Sequence, residues 1–156
     1  MKNEELEMNI DEKWREEKFR EHAKTYLLCF SAKCPLREHC LHYLLNEYAS
    51  KTKLVTNSVN LNNPSMQTEN CPHFVKDEPI EMPTGIEAIY YEMPGRIEKK
   101  IKSLLIDALT RKRYYAYHGG RLPMPPETEE YVRKVAKDAG WDAPLVFGGT
   151  ITDYLW

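Results

Sequence analysis

Apolar residues recur every three to four positions in four stretches of this chain, and polar, proline-punctuated sequence separates those stretches. Ile10, Trp14, Phe19, Ala23, Tyr26 and Leu27 predict an amphipathic helix from Ile10 to about Leu28, with Asp11 and Glu12 in its first turn, where carboxylates oppose the helix dipole. Leu36, Cys40, Leu44 and Tyr48 repeat every fourth residue and predict a second helix from Pro35 to about Tyr48. Proline there frees Cys34 from helical geometry and suits the first helical position, so Cys34 caps this helix and the Cys40 thiol turns inward. The clearest helix runs from Gly95 to about Leu109, burying Ile97, Ile101, Leu104, Leu105 and Ala108 and leaving Lys99, Lys100 and Lys102 outside. A last helix covers Pro126 to Ala139, with Glu127, Glu129 and Glu130 against its dipole and Gly140 as its C-terminal cap.

The intervening sequence is irregular. Residues 1–9 are acidic and read as frayed. Residues 50–70 are polar and Asn-rich, a surface loop in which only Leu54-Val55 and Val59-Asn60-Leu61 suggest short strands or a small hairpin. Pro79, Pro83 and Pro94 punctuate a connector holding a short helix at Ile86 to Tyr91, and residues 141–156 read as an extended arm. The expected architecture is therefore mainly α, with at most a small β-hairpin. An irregular, metal-stapled N-terminal half (1–78) packs on a basic helical half with an extended C-terminal arm (94–156), through a Pro-rich connector (79–93).

Composition narrows this picture only slightly. With 156 residues, 42% hydrophobic and 29% charged, the chain suffices for one core or two small units and should fold. The first residues carry no apolar leader and no apolar run approaches membrane-spanning length, so a cytoplasmic protein with no membrane partner is expected. The net charge of −2 hides an asymmetry: residues 96–121 hold eight basic side chains against two acidic ones. A basic stretch on an otherwise acidic chain has the form of a nucleic-acid contact surface, or of a solvated helix face.

The cysteines change the picture most. Cys29, Cys34, Cys40 and Cys71 follow the spacing C-x4-C-x5-C-x30-C. In a reducing compartment such a set points to metal ligation rather than disulfides. Four thiolates close either a tetrahedral zinc site or an iron-sulfur cluster, and either would tie the remote Cys71 to the other three. The lack of any C-x2-C pair weighs against zinc, and Cys-Pro at Cys34 and Cys71 suits a cluster; buried, unmetallated thiols are the third reading. His39 and His42 share a helix face, and His73 two residues past Cys71 offers a Cys3His alternative.

The run Cys34-Pro35-Leu36-Arg37-Glu38-His39-Cys40-Leu41-His42-Tyr43-Leu44-Leu45 resembles the ligand helix of the WhiB-like iron-sulfur transcription regulators, which implies Cys34 and Cys40 as cluster ligands. Over its length the chain resembles a family of small bacterial proteins of unknown function. The Cys-rich start, Met93-Pro94-Gly95-Arg96, the Arg-x-x-Tyr-Tyr ending at Tyr115 and the C-terminal Trp156 carry that likeness, which implies no activity. Residues 95–139 resemble phage-repressor-type helix-turn-helix proteins, with a basic helix at Arg111-Lys112-Arg113 and Thr110 as the whole turn. That likeness implies DNA contact through Lys99, Lys102, Arg111, Lys112, Arg113 and Arg121.

No phosphate-binding loop, nucleophile elbow, dinucleotide fingerprint or metalloprotease motif occurs, so a catalytic role is not expected. The sequence thus predicts a cytoplasmic protein binding an iron-sulfur cluster or Zn through its cysteines and contacting DNA in a regulator-like role. The alternative is a zinc-stapled structural module whose exposed aromatics dock on a protein partner.

Overall fold

The computed structural model describes the backbone from residue 2 to residue 156 and the side chains from residue 11 onward, so Ile10 and the acidic stretch 1–9 lie outside the described side chains. Among the described residues the fold is mainly α, with five α-helices and one two-stranded antiparallel sheet. Two compact units share the chain: residues 1–77 together with Trp156, and residues 78–155.

In the first unit, helix α1 (Lys2–His22) stops before the expected Leu28. The chain closes in a turn, with the Tyr26 N–H donating to the His22 carbonyl at 2.9 Å. Leu28 then leaves to form a parallel bridge with Ser58, donating to the Asn57 carbonyl and accepting from the Val59 N–H. Among the described side chains of α1 and the turn after it, only Phe19 and Ala23 are buried before Leu28. Tyr48 meets the Phe19 ring edge-on at 5.9 Å, and Trp156 stacks on His22 at 3.7 Å. Leu28, Leu41 and Leu45 complete a small apolar core.

The second predicted helix is broken. A 3-10 turn at Arg37–His39 gives way to extended backbone at Cys40 (φ −109°, ψ 120°), followed by α2 (Leu41–Leu44) and another 3-10 turn at Leu45–Tyr48. The cause is a competing partner for the backbone. Cys40 pairs antiparallel with Lys76, the Leu41 N–H donates to Val75 at 2.8 Å, and the Asp77 N–H donates to His39 at 3.1 Å. The buried side chains become Cys40, Leu41, His42 and Leu45, while Leu36, Leu44 and Tyr48 stay partly exposed. Cys34 consequently heads a turn rather than an α-helix. The 50–70 loop forms no hairpin: Leu54 and Val55 are exposed, and Val59 is buried through its bridge to Leu28.

The second unit carries a long-range strand pairing that the sequence did not suggest. Strand β1 (Ile80–Thr84), inside the Pro-rich stretch, runs antiparallel to β2 (Gly149–Asp153) in the C-terminal tail, from Ile80 opposite Asp153 to Thr84 opposite Gly149. Gly85 turns the chain out of β1 at φ +80°, its N–H donating to the Tyr117 carbonyl and its own carbonyl accepting from the Gly148 N–H at 3.0 Å. A 3-10 turn (Ile86–Tyr90) then leads into α3 (Gly95–Leu109), α4 (Arg111–His118) and α5 (Pro126–Asp138), close to the sequence expectation. Ile86, Ile101, Leu105, Tyr114, Met124 and Val132 are fully buried at their centre. On α3 the buried arc is rotated from the expected one toward Leu105, Ile106 and Leu109, leaving Leu104 and Ala108 exposed. After α5, Gly140 at φ +98° closes the helix, with the Trp141 N–H donating to Ala136 and the Gly140 N–H to Lys137.

Two features set the stability of this unit. A Cβ at Gly85 would lie 3.1 Å from the Gly148 Cα, in a left-handed backbone that a side chain also disfavours. Gly85→Ala should therefore cost about 2 kcal/mol, read by urea denaturation. The Tyr90 and Tyr114 hydroxyls share a buried hydrogen bond of 3.1 Å. Burial raises the Tyr90 phenol, with its hydrogen bond to Tyr114 and the nearby Tyr114 and Glu98 charges adding to the rise. Burial also raises Tyr114, opposed by the Tyr90 hydrogen bond. Both folded values lie above the ordinary phenol value near 10, so the pair stabilises fully below about pH 10 and its contribution falls as pH climbs beyond it. Tyr90→Phe should cost about 1 kcal/mol near neutrality and flatten the alkaline loss of stability, measured as ΔG against pH.

Candidate metal centre and basic surface

Four separate backbone devices bring the cysteines to one place. Cys29 is held on α2: its N–H donates to the His42 carbonyl at 2.8 Å and its carbonyl accepts from Asn46 Nδ2 at 2.9 Å. Cys34 sits in the turn that starts at Ser31, and its carbonyl accepts from the Arg37 N–H at 3.3 Å. Cys40 is fixed by the bridge to Lys76. Cys71 lies between two anchors of its own loop. On one side residues 75–77 pair with residues 39–41. On the other, Gln67, at φ +62°, accepts from Ser31 Oγ at 2.6 Å and donates to the Leu61 carbonyl at 3.1 Å. The Arg15 guanidinium adds an ion pair to Asp77 at 3.0 Å.

The result is that Cys29, Cys34, Cys40 and Cys71 all line one cavity of about 20 Å³, together with His42 and His73. Leu36, Val59, Met66 and Phe74 give it apolar walls and Arg37 stands among its lining residues. Cys34 and Cys40 are buried, Cys29 and Cys71 partly so, and all four are reduced. The side chains do not stand in ligating geometry: among the described residues, no group of three or more His, Cys, Asp or Glu is arranged to hold a metal ion. Joint ligation requires the thiols to rotate into the shared cavity. The Cys71 thiol, for example, lies against the Met66 sulfur at 3.8 Å.

Electrostatics ties the group together. Burial pushes the Cys29 thiol up; the Ser31 backbone N–H opposes that rise, and the Cys40, Cys34 and Cys71 thiolates each add to it. Burial, and then Cys40, push the Tyr26 phenol up to about 12. His42, which the sequence marked only as a face-mate of His39, is buried, whereas His39 is exposed, 3.7 Å from Asp77. The His42 ring stacks on Tyr26 at 4.5 Å and its Nδ1 lies 2.6 Å from the Leu27 carbonyl oxygen. Burial lowers its pKa, the Leu27 carbonyl opposes that, and His73 adds to the lowering.

The basic residues sit in the second unit. Lys99, Arg111, Lys112, Arg113 and Arg121 are exposed and Lys102 is half-buried. None of the six forms an ion pair among the described residues. Lys102 of α3 and Arg111 of α4 both approach the Tyr115 ring, at 5.6 and 5.8 Å. Arg113 donates through Nε to the Tyr117 hydroxyl at 3.2 Å. Tyr114 and Tyr117 are buried, so α4 faces its tyrosines inward and its first-turn cations outward. Thr110 alone joins α3 to α4, in a left-handed φ of +68° that a β-branched residue rarely adopts.

No helix among the described residues is long and apolar enough to cross a membrane. A family model described as Family of unknown function (DUF6078) matches residues 8–156. No curated protein and no solved structure matches the chain.

Proposed function

The chain belongs to that family of unknown function, and for it we propose metal binding through Cys29, Cys34, Cys40 and Cys71 in the first unit, joined to nucleic-acid contact by the second, in a regulator-like role. The observation that carries the first part is the meeting of all four thiols, from four separately fixed segments, on one small cavity. Such a donor set fits a soft or borderline cation. The cavity's size separates the candidates. About 20 Å³ accommodates roughly one water-sized sphere, the scale of a single ion. An iron-sulfur cluster, favoured by the resemblance of residues 34–45 to WhiB-like regulators, would need the pocket to widen. Zinc is the better fit. A bound ion would supply no reaction here; it would cross-link the Cys71 loop to the 29–40 segment, coupling metal to the folding of this unit.

The nucleic-acid part rests on six cations without ion-pair partners among the described residues, three of them in the first turn of α4, where a recognition helix presents its contacts. The helix-turn-helix likeness of residues 95–139 favours duplex DNA. A second reading is supported by Tyr91 and Val146, 76% and 71% exposed, beside a groove formed with Trp141 and Phe147. Those side chains suit a protein partner, with the metal serving only as a staple.

Protein purified anaerobically should carry one zinc per chain and no visible absorption band, and replacing Cys29, Cys34, Cys40 and Cys71 together by Ala should lose the metal and unfold the first unit at lower temperature. Neither zinc nor iron in the reduced wild type would sink the metal reading. Duplex DNA should bind with a strong salt dependence, and Arg111→Ala with Arg113→Ala should weaken binding and reduce the slope of log K against log salt by about 2. Binding that ignores salt, or none to any nucleic acid, favours the interaction module.

A further inference from the structure

Resting on the metal reading above, we infer that His42 is a zinc ligand through Nε2, so that the site is Cys3His and one of the four cysteines remains a free thiol. The sequence pointed to His73 as the substitute ligand, but the structure distinguishes the two histidines. Both line the cavity, yet His73 is exposed and has no hydrogen bond among the described residues, whereas His42 is 7% exposed and held on two sides. Its ring lies parallel to Tyr26 at a centroid distance of 4.5 Å, which fixes the plane. Its Nδ1 stands 2.6 Å from the Leu27 carbonyl oxygen, and a carbonyl can only accept. Nδ1 therefore carries the proton and the neutral ring keeps its lone pair on Nε2. A buried imidazole bound through one nitrogen to a backbone carbonyl, with the other left for a cavity, has the arrangement of a metal-ligating histidine and its supporting carbonyl.

Charge balance points the same way. Four thiolates around Zn²⁺ leave two negative charges in a pocket with apolar walls, and Arg37 is the one cation among its lining residues. Three thiolates and a neutral imidazole leave a single negative charge beside Arg37, whose guanidinium is shared with the exposed Glu38 carboxylate 3.5 Å away. Burying uncompensated charge is the larger penalty, so the Cys3His set is favoured. The placement of His42 also follows from the main chain, because the carbonyl of His42 accepts from the Cys29 N–H and sets the two residues side by side.

The wild-type chain, reduced and loaded with cobalt(II) or zinc, tests this without any variant. The cobalt protein should show thiolate-to-metal charge-transfer intensity for three sulfurs, and X-ray absorption of the zinc protein should fit three sulfurs at about 2.3 Å and one nitrogen at about 2.0 Å. His42→Ala should lower zinc affinity by at least about 100-fold, beyond the loss of a merely supporting group. His42→Cys should restore binding with a four-sulfur cobalt spectrum, His73→Ala should leave the spectrum unchanged, and one of the four single Cys→Ser variants should keep the metal. A four-sulfur wild-type spectrum with His42→Ala binding zinc normally overturns the inference and leaves the metal reading standing, as does loss of the nitrogen in His73→Ala instead. Failure of the reduced wild type to bind either ion overturns the metal reading itself.

Discussion

The pairing of residues 39–41 with residues 75–77 is the constraint on which the first unit depends. Two backbone hydrogen bonds, which together make the bridge of Cys40 to Lys76, draw the end of a long polar loop against the middle of what would otherwise be one helix. They do two things at once. They pull Cys40 into extended geometry, which turns the following residues so that His42 and Leu45 face inward, and they set Cys71 within a few residues of its anchor. Without that pairing the helix would continue and the loop would have no fixed return. The apolar core here is only a handful of side chains, so the unit relies heavily on such hydrogen bonds and on the Gln67 and Asp77 contacts. A small core stabilised by long loops is the situation in which a metal cross-link contributes most.

The second unit is organised differently. Its helices bury aliphatic and tyrosine side chains around Tyr114, and the β1–β2 pairing joins its two chain ends. Gly85 and Gly148 meet where that pairing opens into the helices, and their backbones approach closely enough to exclude a side chain. The tyrosines divide the labour of α4. Tyr114 and Tyr117 fill the interior, and this leaves Arg111, Lys112 and Arg113 on the outside, with no carboxylate partner among the described residues. A basic face that is not neutralised by its own protein is available to polyanions.

Together these features describe a protein with a thiol-lined cavity in one unit and an exposed cationic surface in the other. The cavity is small and walled by apolar residues, and its four thiols are the donor set on which the metal proposal rests. Its histidine is already oriented by a carbonyl and an aromatic ring, while its cysteines must rotate to meet an ion.

Much of the second unit was legible in the sequence. The periodicity of Ile97, Ile101 and Leu105, Pro126 at a helix start and Gly140 at its end are local signals, and each acts through interactions within a few residues. The four cysteines were legible as a group from residue type and spacing alone. The cysteine pocket's construction was not, because it rests on pairings between segments far apart in sequence: 39–41 with 75–77, Leu28 with Ser58, Ser31 with Gln67. The β1–β2 sheet was hidden for the same reason, its strands lying inside a proline-rich stretch and a tail. His42 carried no signal beyond its spacing from His39, since its burial and its tautomer depend on Leu27 and Tyr26 crossing above it. The sequence by itself determined which side chains could ligate, which helices could form and where charge accumulates, because those follow from local chemistry. Tertiary structure decided which cysteines and histidines share a cavity and which of the two histidines is buried beside it, because backbone hydrogen bonds between distant segments overrode the helical periodicity around Cys40.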